Sequence, residues 1–141
     1  MDASLAERID RLEQIEELKQ LKYRYCAAVD ANYDADALAA MFTEDGVWDG
    51  AELGCYAGRE AIRESFLEPN ASVQWMRHCV FNPIIVIAGD RARCTWYMWL
   101  PKILSDGAGK SFQGGTHVDQ CRRVDRQWLF EYMQVRLRKL P

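Results

Sequence analysis

The sequence predicts an α+β fold: a cone-shaped barrel in which a curved, mixed but mostly antiparallel sheet wraps a long N-terminal helix, with two shorter helices beside it. Three observations predict it. Helical periodicity is confined to the stretch before Pro69, strand alternation takes over after it, and no linker, repeat or low-complexity segment separates the two. A chain of 141 residues fits one domain over residues 1–141, long enough to bury a core without disulfides or metal. A curved sheet closing over one long helix leaves a cavity where the two part, beside the C-terminal end of that helix.

Ser4 followed by Glu7 is a capping-box pattern that opens the first helix. Leu5, Ile9, Leu12 and Ile15 recur at helical spacing, and Leu18, Leu21, Tyr25, Ala28 and Val29 carry the apolar stripe on to about Asp30. Asn32-Tyr33-Asp34 breaks the helix, and residues 35–42 make a second, short one. Thr43-Glu44-Asp45-Gly46 is a turn before a strand at Val47-Trp48-Asp49. Residues 58–67 form a third helix, stopped by Pro69.

Long strands follow. Residues 73–87 and 91–104 flank the hairpin signal Ala88-Gly89-Asp90. In the second of these, Ala92, Cys94, Trp96, Met98 and Leu100 alternate with Arg91, Arg93, Thr95, Tyr97 and Trp99. The first set faces a core or pocket, and the second is large and amphipathic enough to suit a partner surface. Residues 112–124 and 128–138 are the last two strands, joined at Asp125-Arg126.

Composition narrows the function. The formal net charge of −3 leaves no basic excess to neutralise phosphates, so nucleic acid is not expected as a partner. Arg122, Arg123, Arg126, Arg136, Arg138 and Lys139 gather near the C-terminus as a solvated face. Met1 to Asp10 is polar, and no apolar run approaches the roughly 20 residues of a membrane span, so neither leader nor membrane is expected. The five cysteines are scattered without C-x-x-C spacing; they are expected to be reduced core thiols of a cytoplasmic protein. Neither metal-ligand spacing nor a glycine-rich phosphate loop is present, so no cofactor is expected.

The chain has two histidines. His78 lies in the strand-like run Gln74 to Asn82, and Asp30 ends the helical run Tyr23 to Asp30. A carboxylate that fixes the tautomer of an imidazole makes it a working base near neutrality. Cys79 adjoins His78, but neighbours on a strand point to opposite faces, so the two should not cooperate.

The order of signals is Tyr25-x4-Asp30, a short helix, Phe42-Thr43-x-Asp45-Gly46, Gly58-Arg59-x-x-Ile62, His78, then Val124-Asp125-x-x-Trp128. This order resembles the SnoaL-like branch of the nuclear transport factor 2 superfamily over nearly all of residues 5–138. Within that branch it is most similar to the group of scytalone dehydratase, bile-acid dehydratase and hexachlorocyclohexane dehydrochlorinase. The resemblance implies that Asp30 orients His78, that His78 removes a proton as a leaving group departs, and that Tyr25 belongs to the same catalytic set. It places His117 where such enzymes present a pocket-lining polar residue, able to bind a substrate oxygen or protonate a leaving hydroxyl. Lys102, in Leu100-Pro101-Lys102, stands where relatives carry a histidine or aspartate.

Trp48, Phe66, Trp75, Met76, Val80, Trp96 and Met98 are expected to wall an apolar pocket, with Lys102 also at the substrate. The leading expectation is a cofactor-independent dehydratase acting on a cyclic or aromatic hydroxylated small molecule. Two alternatives stand beside it: an isomerase or cyclase using the same base, and a non-catalytic ligand-binding or assembly module like a dioxygenase small subunit. The alternating row Arg93, Thr95, Tyr97 and Trp99, too large and aromatic to leave in water, predicts a homo-oligomer through the outer sheet face, and the resemblance implies a trimer over a dimer.

Overall fold

The computed structural model describes residues 3–141; Met1 and Asp2, the first residues of the polar N-terminal stretch, lie outside it. Helix α1 (Leu5–Asp30) opens with the expected capping box: Glu7 N–H donates to the Ser4 hydroxyl, and the Glu7 carboxylate accepts from Ser4 N–H at 2.7 Å. At 26 residues the helix is about 39 Å long. Its buried side is Leu18, Leu21, Lys22, Tyr25, Cys26 and Val29. Leu5, Ile9 and Leu12 were expected to continue that stripe, yet they are exposed, because the sheet covers only the C-terminal half of the helix.

Helix α2 (Ala35–Ala40) ends sooner than the sequence suggests. Phe42 is drawn into strand β1 (Phe42–Asp49), where it pairs in parallel with Phe130 and is fully buried. The turn expected at residues 43–46 survives as a bulge inside β1, where the register jumps from Phe42↔Phe130 to Val47↔Tyr132. A 3-10 turn (Ala51–Leu53) and a three-residue strand β2 (Cys55–Ala57), too short to show alternation, precede helix α3 (Arg59–Ser65). The Arg59 guanidinium donates twice to the Phe42 carbonyl, at 2.9 and 2.7 Å, and so pins α3 to β1.

The remaining strands are β3 (Val73–Met76), β4 (Cys79–Ala88), β5 (Arg91–Leu104), β6 (Lys110–Val124) and β7 (Gln127–Lys139). The sheet runs β2-β1-β7-β6-β5-β3, with β4 also on β5; β1 and β7 are parallel and every other pair is antiparallel. The α+β half-barrel is therefore the architecture the sequence predicts. Close approach of β6 and β7 requires Gly115, because a Cβ there would stand 1.9 Å from the Arg136 carbonyl oxygen.

On β5, Ala92, Cys94, Trp96, Met98 and Leu100 are all buried, while Tyr97 and Trp99 are each 53 % exposed on the outer face. Cys26, Cys94 and Cys121 are buried, but Cys55 and Cys79 are exposed, which corrects the expectation of core thiols throughout. Of the arginines gathered near the C-terminus, Arg122 pairs with Glu131 and Asp45, and Arg136 with Asp49. No helix among the described residues is long and apolar enough to cross a membrane.

One departure bears directly on the site. The run 73–87 is two strands, not one, and His78 lies in the gap between them. Opposite the gap stands Pro101, which has no N–H to continue the ladder; its carbonyl accepts from Arg77 N–H at 3.2 Å.

Candidate active site

Helix α1 delivers Asp30 at its last turn, where the helix dipole disfavours a carboxylate and the helix carries no basic residue to offset it. Compensation comes from the strand break. His78 N–H donates to Asp30 at 3.0 Å (Oδ2) and 3.2 Å (Oδ1), and His78 Nδ1 lies 2.6 Å from Asp30 Oδ1. An ionised carboxylate only accepts, so Nδ1 carries the ring proton and Nε2 keeps its lone pair. His78 lines a cavity of about 210 Å³ between helix and sheet. Cys79 points the other way and is exposed, as strand alternation requires.

Tyr25, on the same side of α1, is 2 % exposed. Its hydroxyl oxygen accepts from Trp48 Nε1 at 2.9 Å, leaving its own proton free, and burial pushes its pKa far above the ordinary tyrosine value. Trp48, Tyr56, Phe66 and Tyr33 form one wall, their rings in tilted or edge contact at 5.5–6.1 Å. Met76 joins that lining. Lys102, Gln113, Asn70 and Ser65 add further polar groups to the cavity, and burial lowers the Lys102 pKa. Burial likewise pushes the Cys26 thiol up to about 12, which makes it a packing residue and no nucleophile.

His117 also lines this cavity and is fully buried. Its ring is 6.4 Å from the Tyr25 ring. Its Nδ1 is 2.7 Å from Nζ of Lys22, which in turn donates to Asp119 Oδ1 at 3.0 Å. Asp119 Oδ2 accepts from Trp96 Nε1 at 2.9 Å. Burial and the Lys22 ammonium hold the His117 pKa well below the ordinary imidazole value, so this ring is neutral.

Of the residues singled out from sequence, Tyr25, Trp48, Phe66, Met76, His78, Lys102 and His117 line one cavity, with Asp30 directly behind His78. Four expected wall residues, Trp75, Val80, Trp96 and Met98, do not reach it. Trp96 is turned toward Asp119 and Tyr23, Met98 is enclosed beside Gly115, and Val80 packs half-buried against the core. Trp75 is 41 % exposed and stacks under Arg77 outside the cavity. Lys22 and Asp119 were missed. Lys22 stands among the apolar residues of the buried helix stripe, a lysine where leucine would be expected, and that was the available signal.

A larger groove of about 810 Å³ runs outside α1 and is lined by Glu13, Glu16, Glu17, Arg24 and Arg126, but it holds no histidine or buried acid–base pair. Among the described residues no group of three or more His, Cys, Asp or Glu is placed to hold a metal ion.

The model of the SnoaL-like domain matches residues 10–134. The chain belongs to the SnoaL-like family. Solved structures similar to this family member share its NTF2-like fold. A provisionally named scytalone dehydratase from Novosphingobium aromaticivorans is 20 % identical with a TM-score of 0.81, over 93 % of this chain and 87 % of its own. Hexachlorocyclohexane dehydrochlorinase LinA-type3 from Novosphingobium barchaimii is 19 % identical with a TM-score of 0.82, over 95 % and 93 %. A Mycobacterium tuberculosis protein of unknown function is 25 % identical with a TM-score of 0.81, over 98 % and 79 %. No curated protein matches the sequence significantly.

Proposed function

We propose that this SnoaL-like protein is a cofactor-independent lyase, a dehydratase of small cyclic hydroxylated compounds, with His78 as the general base. The observation that carries the reading is the 2.6 Å contact from His78 Nδ1 to Asp30, which leaves Nε2 of a cavity-lining imidazole free to take a proton. Structural neighbours named for dehydration and for dehydrochlorination, both eliminations, support the same reaction class. An assembly module has no need of an oriented base.

In the proposed reaction His78 Nε2 takes a proton from a carbon next to a carbonyl, and Asp30 stabilises the imidazolium that forms. The carbonyl oxygen gains charge and is met by the Tyr25 hydroxyl, whose oxygen is already engaged by Trp48, and by His117. The C–O bond to the neighbouring hydroxyl breaks as the double bond forms. The departing hydroxide recovers the proton from His78 and leaves as water, so the base is regenerated. Lys102 at the cavity suits a substrate with an anionic or oxygen-rich edge, and the aromatic wall of Trp48, Tyr56 and Phe66 suits a flat ring.

The test is a thermal-shift screen with phenols and cyclic ketols, followed by an absorbance assay on the compounds that bind. Appearance of the conjugated product in wild type and its loss in His78→Ala is the expected result. Equal rates in the two proteins would end the general-base proposal.

A further inference from the structure

Lys22 has no exposed surface, and an ammonium in such a place is costly unless it is paired and hydrogen-bonded. Asp119 supplies the opposite charge at 3.0 Å, and the rings of Tyr25 and Phe130 lie 5.2 and 5.5 Å from Nζ. The third partner is His117 Nδ1, at 2.7 Å. An ammonium has only donors, so Nδ1 must offer its lone pair, and the single proton of the neutral ring is left on Nε2. That Nε2 is buried without a protein partner, although His117 lines the cavity. A buried N–H without an acceptor is expensive, and a substrate oxygen would satisfy it.

We infer that Lys22 is a positioning residue that fixes His117 as its Nε2–H tautomer, so that His117 serves as a neutral hydrogen-bond donor to an oxygen of the substrate and not as an acid or base. The two histidines of the chain thereby take opposite parts. Asp30, an acceptor, holds His78 so that a lone pair is presented; Lys22, a donor, holds His117 so that an N–H is presented. Asp119 keeps the Lys22 charge balanced, so the donor is prepared without net charge in the site. The groups facing His117 are Lys22 and Tyr25 from α1, Asp119 on its own strand and His78; its neighbours on β5 and β7, Trp96 and Val135, are uncharged. The donor role rests on the lyase reading above, whereas the tautomer does not.

The experiment is ¹⁵N-histidine NMR on the intact protein, with two imidazoles to assign, in wild type, Lys22→Arg and the charge-balanced double variant Lys22→Met/Asp119→Asn. Wild type should show His117 as a neutral Nε2–H ring from about pH 5.5 to 8.5 and His78 with its proton on Nδ1. Lys22→Arg should retain the His117 pattern. The double variant should lose it, moving toward mixed tautomers. An Nδ1–H or doubly protonated His117 in wild type overturns the inference, as does an unchanged tautomer in a folded double variant; if the double variant does not fold, the wild-type spectrum decides. On any substrate found by the absorbance screen, the double variant should lower kcat by more than tenfold with KM changed less than threefold, and an unchanged kcat would remove the donor role. A chain with no lyase activity but the expected tautomer would refute the reaction and leave the Lys22–His117 assignment intact.

Discussion

His78 gives both its backbone N–H and its ring Nδ1 to the single carboxylate of Asp30. The helix end and the strand break are therefore locked together by the same group that orients the base. Asp30→Asn replaces one acceptor oxygen by a donor and sets it against the two donors of His78. We expect turnover to fall by about 10²–10⁴-fold with the fold retained. His78→Ala should abolish turnover while leaving ligand affinity within about tenfold, since the base acts in the transition state. Steady-state kinetics with thermal-shift binding of the same compound checks both; a Kd raised a hundredfold in His78→Ala would recast the residue as a binding group.

Tyr25→Phe should lower stability as well as rate. Removing the hydroxyl leaves the Trp48 indole N–H without its acceptor, at about 1–3 kcal/mol. Urea denaturation of the variant is the check. A midpoint equal to that of wild type would mean that water or another group reaches Trp48.

Stability should fall in mild acid because of His117. Unfolded, this imidazole takes a proton as the pH drops through about 6.5. Folded, burial and Lys22 keep it neutral, so below that pH the unfolded chain binds more protons and is favoured. Wild type should therefore lose more Tm than His117→Asn between pH 7.5 and pH 5.5, Asp119 being common to both chains. Equal losses would show that His117 titrates normally in the fold. At lower pH a second loss should follow below about 3.8, where Asp49, held well under the usual carboxylate range by Arg136 and Tyr132, begins to protonate in the unfolded chain first.

The outer sheet face should be an oligomer contact, a trimer by the family resemblance. Phe81, Tyr97, Trp99 and Phe112 form an aromatic row across β4, β5 and β6, with ring centroids 5.3–6.1 Å apart, and Ile84 and Val86 extend it. Light scattering at micromolar concentration should give a multiple of the monomer mass for wild type, and the monomer mass for Tyr97→Glu/Trp99→Glu. A wild-type monomer would refute the contact.

Long elements were legible because their periodicity extends over many residues. Strand β5 falls on Arg91–Leu104 as read, and its inward row from Ala92 to Leu100 is buried as alternation requires. What sequence could not give was set by tertiary pairing. The overhang of Leu5 to Leu12, the capture of Phe42 by β7 and the short strand β2 depend on which partner lies where. In the site, Asp30 and His78 could be named because their chemistry is distinctive, and Tyr25 and His117 through the family resemblance. Trp96 and Met98 could not be told from wall, since an inward residue on a curved strand reaches the cavity or the packing below it according to its height on the cone. Lys22 escaped because its partners are about a hundred residues away in the chain, and only the fold unites them.

Pro101 carries no acid or base, yet it marks the site. The register runs on across the gap, with Met76 opposite Lys102 and Cys79 opposite Trp99, so Arg77 faces Pro101 and His78 N–H points away from β5, toward the helix. An imino acid at 101 accepts from Arg77 N–H but returns no donor to the Arg77 carbonyl. Pro101→Ala should supply that donor and tighten the pairing of residues 76–79 with β5, while the His78–Asp30 bonds, made on the other edge of the same backbone, stay as they are. Sheet pairing and base orientation thus draw on opposite edges of one short stretch of chain, and the ladder there can be perfected without slowing the catalyst.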